Sequence, residues 1–455
     1  MGETRERAIG YPACMASVVF YFQVHQPFRL NRYTVFDSSH FYFDQQKNGE
    51  ICKRVADKCY RPATQLILDL VKRHKGAFKV AYAMTGVVLD QMQEFCPDVI
   101  DIYKRLADTG CCEFVGETYY HSLSFLYSRQ EFTEQVNMHT RKIQELFGQT
   151  PKVFRNTELI YNNDLAHFIH SMTDEGLPGA DPKNPKKRFM GAICEGTDPI
   201  LGFRSPNYVY RPPHTGTGPH GKPFGLLLKN YRLSDDIAFR FSNRGWAEWP
   251  LSAEKFAKWV NNINGDGYLC NLFMDYETFG EHQWADTGIY QFLEALPEKV
   301  FDVNPGHNHF NTPTEALTQF EPVGVYDVPH MISWADTERD LTAWLGNSMQ
   351  SNALQETYRL ERPIKDRLAA AVAAHAKSNS PETEHELKEA GYLLEDWRKL
   401  TTSDHFYYMC TKYWADGDVH KYFSPYDSPY DSYINFMNVL DNVRTRATGQ
   451  RVGAG

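Results

Sequence analysis

The chain has 455 residues, with 48 Lys+Arg against 57 Asp+Glu and a formal net charge of -9. Hydrophobic residues at 42% and charged residues at 23% are the balance of a globular protein with a large core, which excludes disordered, collagen-like and disulfide-scaffold classes. The acidic surplus offers no basic footprint for phosphates, so no nucleic-acid partner is expected.

The first ten residues, MGETRERAIG, lead into no apolar stretch and read as no secretory signal. No run approaches the ~18–20 apolar residues of a membrane helix, so no membrane partner is expected. Nine cysteines, odd in number and without CxxC spacing, fit reduced thiols in a cytoplasm.

In chain order, residues 18–22 form an apolar run ahead of His25-Gln26-Pro27. Residues 64–71 carry apolar side chains on one helical face, 78–84 form a second run, and 99–106 a second helical face. Residues 112–115 run into Gly116-Glu117-Thr118, 152–154 precede Arg155-Asn156-Thr157-Glu158, and 268–274 end at Asp275. Short apolar runs alternating with helical patterns predict an α/β domain with buried parallel strands. Polar residues after strands are where such a barrel places its site. From about 174 to 225 the chain is rich in Gly, Pro and Asn and reads as a long surface excursion walling a cleft. From 341 to 412 the pattern is helical, clearest over 368–377 and 384–399, and predicts a C-terminal helical region.

Several motifs invite chemistry. The segment 216–223, GTGPHGKP, nearly matches a phosphate loop but ends in Pro223, which lacks both the hydroxyl and the N–H. His167 with His170, and His307 with His309, have no third ligand nearby, so no metal is expected. A metal-dependent polysaccharide deacetylase would need an Asp-Asp pair where His25-Gln26-Pro27 stands and a second His where Phe125 stands.

The carboxylates carry more. Glu158 sits near a strand end, and Asp275, Glu277 and Glu281 follow an apolar strand directly. Asp275 could cap a following helix, with Glu277 in its first turn, and spacing alone narrowly favours that. The alternative is a carboxylate pair at a barrel mouth, one ionised and one protonated, as glycosidic cleavage requires. Aromatic residues reach 14%, which fits either a well-filled core or a cleft that stacks on sugar faces.

Five segments together resemble the signature regions of the family 57 glycoside hydrolases and are most similar to its α-amylase group. They are 24–29 (VHQPFR), 116–121 (GETYYH), 154–158 (FRNTE), 273–280 (FMDYETFG) and 403–408 (SDHFYY), in the expected order. The resemblance implies an incomplete (β/α)7 barrel, here over 12–340, followed by a helical domain over 341–445 that completes the cleft. It implies a retaining α-1,4-glucan hydrolase without a cofactor, with Glu158 as nucleophile and Asp275 as general acid/base. His25, His121, Glu277 and Asp404 match positions lining the subsite of the attacked sugar. Glu277 is expected to keep the Asp275 pKa high by like-charge repulsion. Trp246, Trp249 and Trp284 are expected to stack on substrate rings, although a core role suits them equally. Two alternatives remain open: a 4-α-glucanotransferase using the same carboxylates, and a non-catalytic α-glucan-binding protein.

Overall fold

The computed structural model describes residues 16–218, 221–412 and 424–449. Cys14, the charged N-terminal segment and two residues of the 216–223 loop, Pro219 and His220, lie outside the described residues.

The apolar runs form the strands expected of them. Strand β1 (Ser17–Val24) is buried along its whole length. It pairs in parallel with β2 (Val80–Met84) on one side and, through Ser17↔Leu269 to Gln23↔Asp275, with β8 (Leu269–Asp275) on the other. β3 (Cys112–Phe114) extends this sheet beyond β2. A second sheet holds β4 (Val153–Arg155), β5 (Gly191–Glu195) and β7 (Gly225–Lys229) in parallel, with the two-residue β6 (Val209–Tyr210) antiparallel at its edge. A last short strand, β9 (His309–Phe310), pairs with the start of β1.

Two seams join the sheets into a barrel. At the first, the Gly116 N–H donates to Val153 O and the Arg155 N–H to Gly116 O, both at 2.8 Å. At the second, no strand ladder joins β7 to β8 among the described residues. There the Asn271 side chain donates to Leu228 O at 3.0 Å, and the Asn230 N–H donates to Asn271 O at 2.9 Å. A side-chain amide thus satisfies backbone that a further strand would otherwise cover. The fold is an incomplete (β/α)7 barrel followed by a helical C-terminal region.

The strands β5 and β7 correct the reading of 174–225 as a surface excursion. β5 lies inside that stretch, fully buried, and β7 begins at its end. Neighbouring Gly, Pro and Asn masked a five-residue strand whose backbone pairs on both sides.

Outer helices pack as their apolar stripes require. In Arg61–Arg73 the residues Ala63, Thr64, Ile67, Leu68, Leu70 and Val71 face inward. The C-terminal helices Ser348–Arg359, Glu361–Ser378, Pro381–Leu400 and Pro429–Thr448 share a core with barrel-loop residues Phe28, Tyr42, Tyr119 and Tyr120. Glu131, wholly buried, accepts from Arg398 at 2.8 and 3.1 Å and pairs with Lys365 at 2.8 Å. This desolvated cluster ties two C-terminal helices to the barrel helix Arg129–Phe147.

Candidate active site

The C-terminal ends of the strands open into a cavity of about 580 Å³. Gln23 and His25 reach it from β1, His121 from the loop after β3, Glu158 from the turn after β4, Lys229 from β7, and Asp275 and Glu277 from the end of β8. Trp334, Trp344, Asp404 and Tyr408 enter from later segments. The six principal residues expected of the site are therefore together.

Glu158 occupies the turn Thr157–Leu159 with φ +58°, a left-handed backbone costing a non-glycine residue on the order of 1–3 kcal/mol. The next residue, Leu159, also has positive φ (+52°). The Leu159 N–H to Asn156 O bond (3.0 Å) and the Trp334 N–H to Glu158 O bond (3.3 Å) hold the turn. Three donors then fix the carboxylate: His121 Nε2 (3.1 Å) and Ser403 Oγ (3.0 Å) on Oε1, and Trp334 Nε1 (2.8 Å) on Oε2. Burial works to raise this carboxyl's pKa, but hydrogen bonding and charge from His121 outweigh it and hold the group ionised.

Asp275 ends β8 and makes no side-chain capping bond to the short turn Tyr276–Thr278, so the capping role does not apply. Burial, then the negative charge of Glu158, pushes its pKa up to about 7. The two carboxylates thus differ in protonation at neutral pH because their surroundings differ. Glu277 is pushed up to about 8, by burial first and then by Asp275. Glu158 is the first like charge acting on Asp275, and the repulsion between Asp275 and Glu277 is mutual, so the two carboxyls titrate as a coupled pair. Tyr60 Oη donates to Glu277 Oε1, and Gln26 Nε2 lies 3.4 Å from the same oxygen. Tyr60 ends a π-helical turn, Ala56–Tyr60, inserted between two α-helices.

His25 Nε2 bonds Asp404 Oδ2 at 2.9 Å, and its Nδ1 bonds Thr85 Oγ1 at 2.9 Å. His121, at φ +52°, lies between Glu158 and the buried Glu117, whose Oε2 is 3.5 Å from Nδ1. Burial would lower the His121 pKa; its pairing with Glu117 and its bond to Glu158 reverse this and raise it to about 9. Beneath, the wholly buried Arg155 pairs with Glu117 at 3.6 Å. His25, His121 and Asp404 offer ligand atoms within 4.8 Å of one another, the geometry of a cation site. Those groups are, however, already bonded: His25 to Asp404 and His121 to Glu158.

The expected tryptophans fall elsewhere. Trp246 packs partly against the barrel's outer core and faces a separate groove, and Trp284 is 61% exposed with Lys58 5.9 Å from its ring. Trp249 is 41% exposed, and none of the three lines the cavity. The tryptophans that line it are Trp334 and Trp344, placed there by long-range folding rather than by any local pattern. Sequence reasoning also passed over Ser403, although it adjoins Asp404 in a quoted segment, and it passed over Tyr60 and Lys229, which stand in no motif.

A barrel whose strand ends present one ionised and one protonated carboxylate in a single cleft is built for carboxylate-based hydrolysis. Residues 19–329 match the sequence model described as Glycosyl hydrolase family 57, and the chain belongs to that family of glycoside hydrolases. It is 39% identical over 434 residues to a protein of Methanocaldococcus jannaschii named "Putative alpha-amylase", covering 93% of this chain and 83% of the relative. Among solved structures it resembles a branching enzyme of this family from Thermococcus kodakaraensis, with TM-score 0.60, 14% identity, and coverage of 96% and 92% of the two chains. An alpha-amylase from Thermotoga maritima gives TM-score 0.57, 14% identity, and coverage of 96% and 94%. A 4-alpha-glucanotransferase from Thermococcus litoralis gives TM-score 0.51 and 15% identity; the match covers 88% of this chain and spans 60% of that enzyme's length. At these identities the structural likenesses carry the fold alone.

Proposed function

We propose that the chain is a retaining α-amylase that cleaves α-1,4 bonds in glycogen-like or starch-like glucans and maltodextrins. The observation that carries this reading is the split between Glu158, held ionised by three donors, and Asp275, held protonated up to about pH 7. In the first step Glu158 attacks the anomeric carbon while the Asp275 proton passes to the departing glycosidic oxygen. In the second, Asp275 takes a proton from water, which attacks the glycosyl–Glu158 ester and releases the sugar with its configuration retained. His25, His121, Glu277 and Asp404 hold hydroxyls of the attacked sugar. The family relationship and the curated relative's name support an α-glucan substrate. The eight described cysteines are free and buried, which suits a cytoplasmic enzyme acting on a storage glucan. Among the described residues no helix is long and apolar enough to cross a membrane.

The test is chromatography of products from maltoheptaose, with wild type beside Glu158→Gln and Asp275→Asn. Shorter chains made by wild type and by neither variant are expected. Products longer than the substrate would reassign the site to glucanotransferase. No product from wild type would leave the chain a glucan-binding protein.

A further inference from the structure

We propose that the groove lined by Trp246 and Trp259, next to the active-site cavity, is a second binding site for neutral α-glucan chains. The inference rests on the α-glucan reading above.

The helix Tyr231–Ala238 separates two concavities. On one side Asp235 and the following Phe239, four residues apart on one face, line the active-site cavity. On the other, Arg232, Asp236 and Arg240, at the same spacing, line a shallow groove of about 500 Å³ together with Trp246, Glu248 and Trp259. One helix thus serves both surfaces. Phe239, 64% exposed, stands at the cavity rim, where a chain leaving the cavity would meet an aromatic ring.

The groove has the chemistry of sugar recognition. A pyranose presents apolar C–H faces and a rim of hydroxyls, so its site needs aromatic surface flanked by planar polar groups. The Trp246 and Trp259 rings meet edge to face, with centroids 6.1 Å apart. Both are partly buried against the core, which limits the conformational freedom lost on binding. Around them stand two guanidinium and two carboxylate groups, and the Arg240 guanidinium lies 5.8 Å from the Trp246 ring centroid, so a sugar would meet the ring edges and the outer atoms of these paired groups.

Charge pairing selects the ligand class. Arg240 Nε donates to Asp236 Oδ1 at 2.6 Å, Glu248 pairs with Lys255 at 3.4 Å, and Arg232 pairs with Asp198 at 3.2 Å. With its cations matched by anions, the groove presents no surplus charge for a phosphate or a nucleic acid. A neutral polyhydroxylated chain fits it.

The test is calorimetric titration of full-length Glu158→Gln, chosen to bind without turnover, with maltoheptaose. Two sites are expected, and adding Trp246→Ala or Arg240→Ala should leave one. Arg240 is 37% exposed at its side chain, so its removal provides a variant that keeps the core if Trp246→Ala misfolds. In the active chain the same substitutions should raise KM for glycogen about fivefold, the scale of one aromatic contact, and leave maltotriose turnover as it was. A single site that survives both substitutions, or equal losses on glycogen and maltotriose, would overturn the proposal. Absence of hydrolysis by the wild type would instead sink the functional reading, so the two failures are distinguishable.

Discussion

The imidazole rings of His25 and His121 stack with centroids 4.1 Å apart and planes 27° from parallel. Two cations would not share that contact at low cost. Burial, followed by the His121 charge, lowers the His25 pKa, while the His121 pKa is raised to about 9, so one ring is neutral and the other charged at pH 7. The neutral ring is held by Asp404 from the C-terminal region, and the charged one donates to Glu158 in the barrel.

Replacing the charged ring should therefore act on both carboxylates. His121 lowers the pKa of Glu158 and also that of Asp275. In His121→Asn both limbs of the pH–kcat/KM profile should move to higher pH, with kcat falling about 10- to 100-fold, from the ~1.5–3 kcal/mol of a hydrogen bond to a charged group. A profile that keeps its shape and position while only its height falls would contradict this electrostatic role.

Lys229 pulls the Asp275 pKa downward from the end of β7, where it lies 3.5 Å from both Glu195 and Asp235. Lys229→Met should therefore shift the alkaline limb, set by Asp275 near 7, to higher pH. Glu277→Gln removes a carboxyl that repels Asp275 and should shift that limb to lower pH. An unmoved limb in Glu277→Gln would mean that Glu277 keeps its proton throughout the titration of Asp275.

Gly280 sits at φ +111°, and a Cβ there would lie 2.0 Å from Lys58 O and 2.4 Å from Tyr290 Oη. Neither conformation nor space admits a side chain, and the segment that must shift carries Asp275 and Glu277. Gly280→Ala should lower stability by about 3 kcal/mol or more and reduce activity in the folded fraction. Thermal unfolding and specific activity per folded molecule check both halves. An unchanged midpoint would mean that the Lys58 carbonyl moves away freely.

Asp275 directly follows an apolar run and Glu158 lies four residues beyond one, so both positions at strand ends were legible, but their pairing rested on the family resemblance because spacing alone favoured a capping role for Asp275. One ionised and one protonated carboxyl was expected from the chemistry, but the groups that set those states were not legible, since His121, Lys229 and Arg155 are brought in from other strands. Trp334 illustrates the limit. Its indole donates to Glu158 across 176 residues of sequence, and no periodicity around Ser333-Trp334-Ala335 announces that contact. β5 was hidden for a different reason: Gly191-Ala192-Ile193-Cys194-Glu195 is short, and its burial comes from neighbours on both sides rather than from its own hydrophobicity.

The His25, His121 and Asp404 set resembles a ligand cluster in spacing, yet each group already has a hydrogen-bond partner within the site. Dialysis against EDTA should leave maltoheptaose hydrolysis unchanged. Loss of activity that zinc restores would make the cluster a metal centre and require a different account of how Glu158 is held.

Asp275 should also be a source of instability. Its carboxyl is pushed up to about 7 in the fold from the ordinary 3.8, so above pH 3.8 the unfolded chain ionises it more readily than the native one. The resulting cost grows as pH rises from 3.8 towards 7 and then levels off at an upper bound of about 4 kcal/mol. Asp275→Asn removes the titration while retaining most of the shape. It should abolish hydrolysis and raise the thermal midpoint at pH 8, with the gain shrinking by more than half at pH 5. Midpoints of wild type and variant measured at both pH values decide the matter. A gain that is the same at pH 5 and pH 8 would mean that packing, not the enforced protonation of Asp275, accounts for the difference.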